Sequence, residues 1–164
     1  MKRILFILAL VTLLFMSCGS GYDILSYQEN EIVAECQVNE KFDLEIKKAG
    51  GCVRICVISP ENLGGTVFEI SKESSFVIKD ELKIPLDNES IDGIYALSQM
   101  FSLSEEAITT ATNGGVITFD TGSGVYTVTY GENNLPHHIE ISGDSFSYFV
   151  EIKSIMLDNL PATK

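Results

Sequence analysis

From Glu31 onward, apolar and polar residues alternate with a period of two, in short runs separated by Gly, Pro, Asn and Asp. That pattern leaves the chain little choice but antiparallel β-structure with one face buried and one face wet. The run Lys41 to Lys48, KFDLEIKK, shows it plainly: Phe42, Leu44 and Ile46 fall on one face, Asp43, Glu45 and Lys47 on the other. Gly50-Gly51 then turns the chain into Cys52 to Ser59, and a tight hairpin register sets Val53, Ile55 and Val57 beside Ile46, Leu44 and Phe42, with Arg54 opposite Glu45. Further strands are expected over 31–38, 66–71, 74–79, 82–86, 115–121, 125–130, 137–142 and 145–156.

The alternation breaks between Asp87 and Phe101, where Ile91, Ile94, Tyr95, Ser98 and Phe101 recur at helical spacing behind an Asp/Asn cap. An amphipathic helix is expected there, although the interior Gly93 costs it about 1 kcal/mol. Ser104-Glu105-Glu106-Ala107 reads as the start of a second, short helix that ends near Asn113-Gly114. The sum is one antiparallel sheet folded around a helix, without internal repeats.

Charge narrows the function. The chain carries 11 Lys and Arg against 23 Asp and Glu, a net charge of −12. A surface so acidic excludes nucleic-acid binding through phosphate neutralisation. Most of the acids are the solvated halves of alternating strands, which keep the domain soluble.

The N-terminus fixes the compartment. Lys2 and Arg3 precede an apolar run from Ile4 to Met16 broken only by Thr12. This is the h-region of a secretory signal, too short for a hydrocarbon core that needs about 20 apolar residues. The sequence Leu14-Phe15-Met16-Ser17-Cys18-Gly19-Ser20 then resembles the lipobox of bacterial lipoproteins. That resemblance implies cleavage before Cys18, a diacylglycerol on its sulfur, and a protein anchored to the outside of the cell membrane without spanning it. A plain secreted chain with an incidental cysteine is the alternative. The expected division is a signal peptide over 1–17, a flexible tether over 18–30, a domain over 31–157 and a tail over 158–164.

The strand order, the central helix and two segments resemble the lipoprotein-carrier superfamily of LolA and LppX type, in particular its uncharacterised clostridial-type lipoproteins. The segments are Ser59-Pro60-Glu61-Asn62-Leu63-Gly64-Gly65 and Asn134-Leu135-Pro136-His137-His138-Ile139-Glu140-Ile141-Ser142-Gly143. The resemblance implies a mainly β (α+β) fold: a single strongly curved antiparallel sheet, a half-open β-barrel of about ten strands, with one or two central helices plugging the concave face. It also implies a concave hydrophobic cavity able to hold acyl chains.

Read from the alternation, the residues that would line such a cavity are Phe42, Leu44, Ile55, Val57 and Phe68 from the first strands, and Ile94, Tyr95 and Phe101 from the helix. Tyr126, Val128, Tyr130, Ile139, Ile141, Tyr148 and Val150 would complete it from the last strands. The same positions also fit an ordinary packed core, since buried apolar faces are the rule in any sheet.

Nothing in the sequence carries catalytic chemistry, and no cofactor is expected. Phe119-Asp120-Thr121-Gly122-Ser123-Gly124 looks like the Asp-Thr-Gly signature of aspartic proteases. Those enzymes need two carboxylates sharing a proton, and no second copy of the motif occurs here. A hairpin turn accounts for the same residues. Cys36, Cys52 and Cys56 are expected as free thiols: Cys36 faces inward, Cys52 and Cys56 face outward, and the latter two lie about 13 Å apart along one strand, beyond disulfide reach. His137 and His138, as neighbours on a strand, are expected on opposite faces, which leaves no metal site.

Two functions of different class follow. One is a non-enzymatic, membrane-anchored lipoprotein that binds a lipid or other amphiphile in its concavity. The other is an envelope scaffold that holds a protein partner such as a cell-wall enzyme. A hydrolase of unrecognised type is a weak third.

Overall fold

A computed structural model describes residues 23–87, 91–112 and 115–158. The expected signal peptide, the expected lipidation site Cys18, the first part of the tether and the tail beyond Asp158 lie outside the described residues. Eleven strands follow one another: β1 (Glu31–Val38), β2 (Phe42–Ala49), β3 (Cys52–Ser59), β4 (Val67–Ser71), β5 (Ser75–Lys79), β6 (Leu82–Pro85), β7 (Ile108–Ala111), β8 (Val116–Asp120), β9 (Val125–Tyr130), β10 (Pro136–Ser142) and β11 (Ser147–Asp158). Among the described residues one α-helix, α1 (Asp92–Gln99), separates β6 from the last five strands.

All eleven strands belong to one antiparallel sheet in the order β6-β5-β4-β3-β2-β1-β11-β10-β9-β8-β7. Each half of the chain is a meander, and the two meanders join where β1 pairs with β11. β6 and β7 are left as free edges, so the sheet is curved but not closed. It is a half-open barrel, mainly β, with a short helix on its concave side.

The concave face is apolar because the pleat sends alternate residues inward. Ile32, Ala34, Cys36 and Val38 from β1 are all buried, as are Ile139 and Ile141 from β10 and Tyr126 and Val128 from β9. The β2–β3 hairpin keeps these faces but not the expected register. Val53 pairs with Lys48, Ile55 with Ile46 and Val57 with Leu44, and Arg54 stands opposite Lys47 instead of Glu45. Gly50 and Gly51, both at positive φ, make a tight turn between Ala49 and Cys52. The register therefore lies two residues from the expected one, and a slip of two leaves every side chain on its own face.

Three other expectations are corrected. The second helix is only a 3-10 turn, Glu105–Ala107, capped by Ser104 Oγ, which accepts from the Glu106 N–H at 3.2 Å. The chain then enters β7, where Ile108, Thr109 and Thr110 favour extended backbone through their branched Cβ atoms. α1 occupies Asp92–Gln99 within the longer span expected, and residues 88–90 lie outside the described residues. Finally, residues 23–29, expected as tether, form a 3-10 helix whose Leu25 and Tyr27 are buried in the core. These two apolar side chains dock it on the sheet.

Candidate ligand-binding face

The interior is built by α1 lying across the concave face. Its buried side is Ala96, Leu97 and Ser98, continued by Met100, Phe101 and Leu103. Ser98 tolerates burial because its hydroxyl donates to the Tyr95 carbonyl at 2.7 Å. From the sheet, the Tyr126 hydroxyl donates to the Ala96 carbonyl at 3.1 Å and pins the helix from below. Gly93 lets the helix approach Tyr148 closely: a Cβ there would lie 3.1 Å from the Tyr148 ring carbon Cζ and closer still to its hydroxyl.

The fifteen residues expected to line a cavity are placed as follows. Leu44, Ile55, Val57, Phe101, Tyr126, Val128, Tyr130, Ile139, Ile141 and Val150 are buried in one continuous core, while Phe42, Phe68, Ile94 and Tyr148 are half-buried against it. Tyr95 alone stands apart, 42% exposed. The expected helix stripe is thus rotated: Ile91, Ser98 and Phe101 point in, but Leu97 and Met100 take the place assigned to Tyr95.

Coverage by the helix is uneven across the sheet. One cross-strand row runs Ile46, Ile55, Phe68, Val77, Ile84 from β2 to the free edge β6. Directly paired residues share a face, so all five belong to the concave side. Ile46 is 0% exposed and Ile55 1%, Phe68 and Val77 are half-buried, and Ile84 reaches 45% with its neighbour Leu82 at 61%. The apolar lining thus continues past the packed core and comes into the open over β4–β6. Of this strip only Phe68 is among the residues expected from sequence; the alternation in SFVIK and LKIP carries the signal for Val77, Leu82 and Ile84.

Two further features sit on the concave side. Lys48, two residues along β2 from Ile46, extends inward and its Nζ donates to the Gln28 carbonyl at 2.6 Å and the Phe101 carbonyl at 2.8 Å. Partial burial lowers its pKa from the ordinary lysine value. The Tyr27 ring meets Tyr130 edge-on, with centroids 6.4 Å apart.

A separate groove of about 540 Å³ opens at the end of the barrel where α1 begins, between the β8–β9 and β10–β11 turns; Asp92, Tyr95, Asp120, Asp144 and Phe146 are among its lining residues. Asp120, the acid of the protease-like sequence, lies exposed there and accepts the Gly122 N–H at 3.0 Å, an Asx turn. Gly122 adopts φ +75°, which the hairpin requires.

Cys36 is buried, and Cys52 and Cys56 are half-buried on the convex side; all three are free thiols. The histidines depart from expectation. A register shift between Pro136 and His138 breaks the strict alternation, and the two rings meet edge-to-face with centroids 4.1 Å apart, His138 also stacking on Phe149. Among the described residues, no group of three or more His, Cys, Asp or Glu side chains converges to hold a metal ion.

No family model and no curated protein matches this chain. Among solved structures, it is similar to an uncharacterized conserved protein from Thermus thermophilus at 12% identity, with a TM-score of 0.49 over 87% of this chain and 90% of that one. A putative outer membrane lipoprotein-sorting protein domain from Vibrio parahaemolyticus is similar at 10% identity, with a TM-score of 0.48 over 85% and 93% of the two chains. The Mycobacterium tuberculosis lipoprotein LppX is similar at 8% identity, with a TM-score of 0.39 over 82% and 95%.

Proposed function

We propose that this protein is a non-enzymatic, extracytoplasmic binding protein, tethered to the cell membrane through an acylated Cys18, that holds a lipid or other amphiphile against the concave face of its half-barrel. The observation that carries the reading is the graded exposure of one apolar row, from the closed core at Ile46 to the open edge at Ile84. A sheet that only needed a core would end its apolar face where the helix ends, because uncovered aliphatic side chains on a sheet edge invite aggregation.

Native mass spectrometry of residues 22–164, which include every described residue, tests it. Copurified species of lipid mass, lost in a Phe68→Asp variant that remains folded, are expected. A protein that emerges empty and takes up no amphiphile overturns the reading. The anchor is tested separately: the mature native chain begins at Cys18 with attached acyl groups, and Cys18→Ser releases it from the membrane fraction.

A second reading rests on the two free edges. β6 and β7 each present unpaired backbone groups that could add a strand from an envelope protein, such as a cell-wall enzyme. An empty protein that retains such a partner supports this reading.

A further inference from the structure

Charge is sorted between the two faces of the sheet. Every carboxylate carried by a strand lies on the convex side: Glu35 and Glu45 alternate with buried inward neighbours, Glu69 with half-buried Phe68 and buried Ile70, and Asp43, Glu140 and Glu151 obey the same parity, as do the remaining strand acids. Glu69 even gathers Arg54 and Lys83 to itself on that side, at 3.3 and 3.0 Å. Two lysines go the other way. Lys48 follows Ile46 onto the concave face, and Lys79, two residues on from Val77 and paired with Leu82, does the same. A chain of net charge −12 thus has a concave sheet surface whose strand charges are all positive.

The two lysines differ in what they can still do. Lys48 is committed to two main-chain carbonyls, those of Gln28 and Phe101. Lys79 stands beside the strip that opens from half-buried Phe68 and Val77 to exposed Leu82 and Ile84, and among the described residues only the Gly64 carbonyl accepts from its Nζ. Among the described residues it makes no ion pair; Asp80 and Glu81, its nearest acids in sequence, are exposed in the turn that follows. An ammonium group with donors to spare, next to an apolar strip that no strand carboxylate enters, complements an anionic head attached to an apolar tail.

We infer that the ligand is an anionic amphiphile of fatty-acid type, its tail on the β4–β6 strip and its carboxylate at Lys79. This rests on the amphiphile-binding reading above and adds the sign of the head group and the place where it is held.

Binding of dodecanoate, dodecanol and dodecyltrimethylammonium to residues 22–164 below their micellar concentrations tests it, because the three share one tail. Dodecanoate binds about tenfold tighter than dodecanol at low salt, and the ammonium probe is weakest. Added salt erodes the dodecanoate advantage but leaves dodecanol unchanged. Lys79→Gln brings dodecanoate down to the level of dodecanol, and Lys79→Glu favours the ammonium probe. Equal affinity for dodecanoate and dodecanol in the unaltered protein, or a Lys79→Gln variant of undiminished selectivity, overturns the charge assignment and leaves amphiphile binding standing. Failure of all three probes to bind overturns both.

Discussion

Lys48 ties the main chain after α1 to the sheet: its Nζ donates to the Phe101 carbonyl at 2.8 Å, and the same ammonium holds the Gln28 carbonyl of the N-terminal 3-10 segment at 2.6 Å. One side chain thereby joins the N-terminal 3-10 segment, the second strand and the chain that follows α1. Lys48→Met keeps the aliphatic stem and deletes both bonds, so the protein is expected to lose about 1–2 kcal/mol, read from the urea midpoint. Amide exchange should quicken in the 3-10 helix and the end of α1 while β1 and β11 keep their protection. Unchanged exchange in those segments would show that the lysine holds nothing.

Gly93 faces Tyr148, whose ring stacks on Phe146 with centroids 5.5 Å apart and has little room to withdraw. In an exposed helix Gly→Ala gains about 1 kcal/mol; here the added methyl forces a shift that costs about 1–3 kcal/mol. Gly93→Ala is therefore expected to destabilise. Combining it with Tyr148→Phe, which removes the hydroxyl the methyl would strike, should restore part of the loss. A double-mutant cycle with no coupling between the two sites would refute the contact.

Alkaline pH should unfold the protein early. Burial raises the Tyr27 and Tyr126 hydroxyls from 10.0 to about 12, and burial with the nearby Glu35 raises the Cys36 thiol from 9.0 to about 12. All three are held neutral in the fold. Their contribution is complete below about pH 9, where both folded and unfolded chains keep the protons. As pH climbs from 9 towards 12 the unfolded chain releases them first, and stability falls. Lys48, lowered and half-exposed, acts weakly in the opposite sense. Urea midpoints should drop through this window, with tyrosinate absorbance rising together with loss of structure. A flat midpoint across it would contradict the assignment.

The thiols should separate kinetically. Cys52 and Cys56 are half-buried on the convex side, whereas Cys36 is 1% exposed within the core. Residues 22–164 titrated with a thiol reagent should show two accessible groups and a third that reacts only on unfolding. Prompt reaction of Cys36 would mean that β1 is not the closed centre of the sheet.

Much of this architecture is legible in the sequence because alternation survives local error. The β2–β3 register differs by two residues from the expected one, yet Ile55 and Val57 stay inside and Arg54 outside. The histidines show the opposite case: one register irregularity beside Pro136 defeats parity, and no residue in that stretch announces it. Spacing reveals the helix but not its rotation, since Ile94, Leu97 and Met100 make an apolar stripe as regular as the one through Tyr95. Lys48 is hidden for another reason. A lysine at an inward position reads as a strand end, and its role depends on carbonyls contributed by residues 28 and 101, which only the fold brings within reach. The open strip at β6 likewise depends on how far α1 extends across the sheet, which alternation does not encode.

The docking of Leu25 and Tyr27 shortens the leash. With Cys18 acylated, only residues 19–22 separate the bilayer from a segment fastened to the body of the fold, a span of about 18 Å at full stretch. The domain would then ride close over the headgroups, unable to roam the envelope. Any cargo would have to come to it along the membrane surface or be handed over by a neighbour within arm's length.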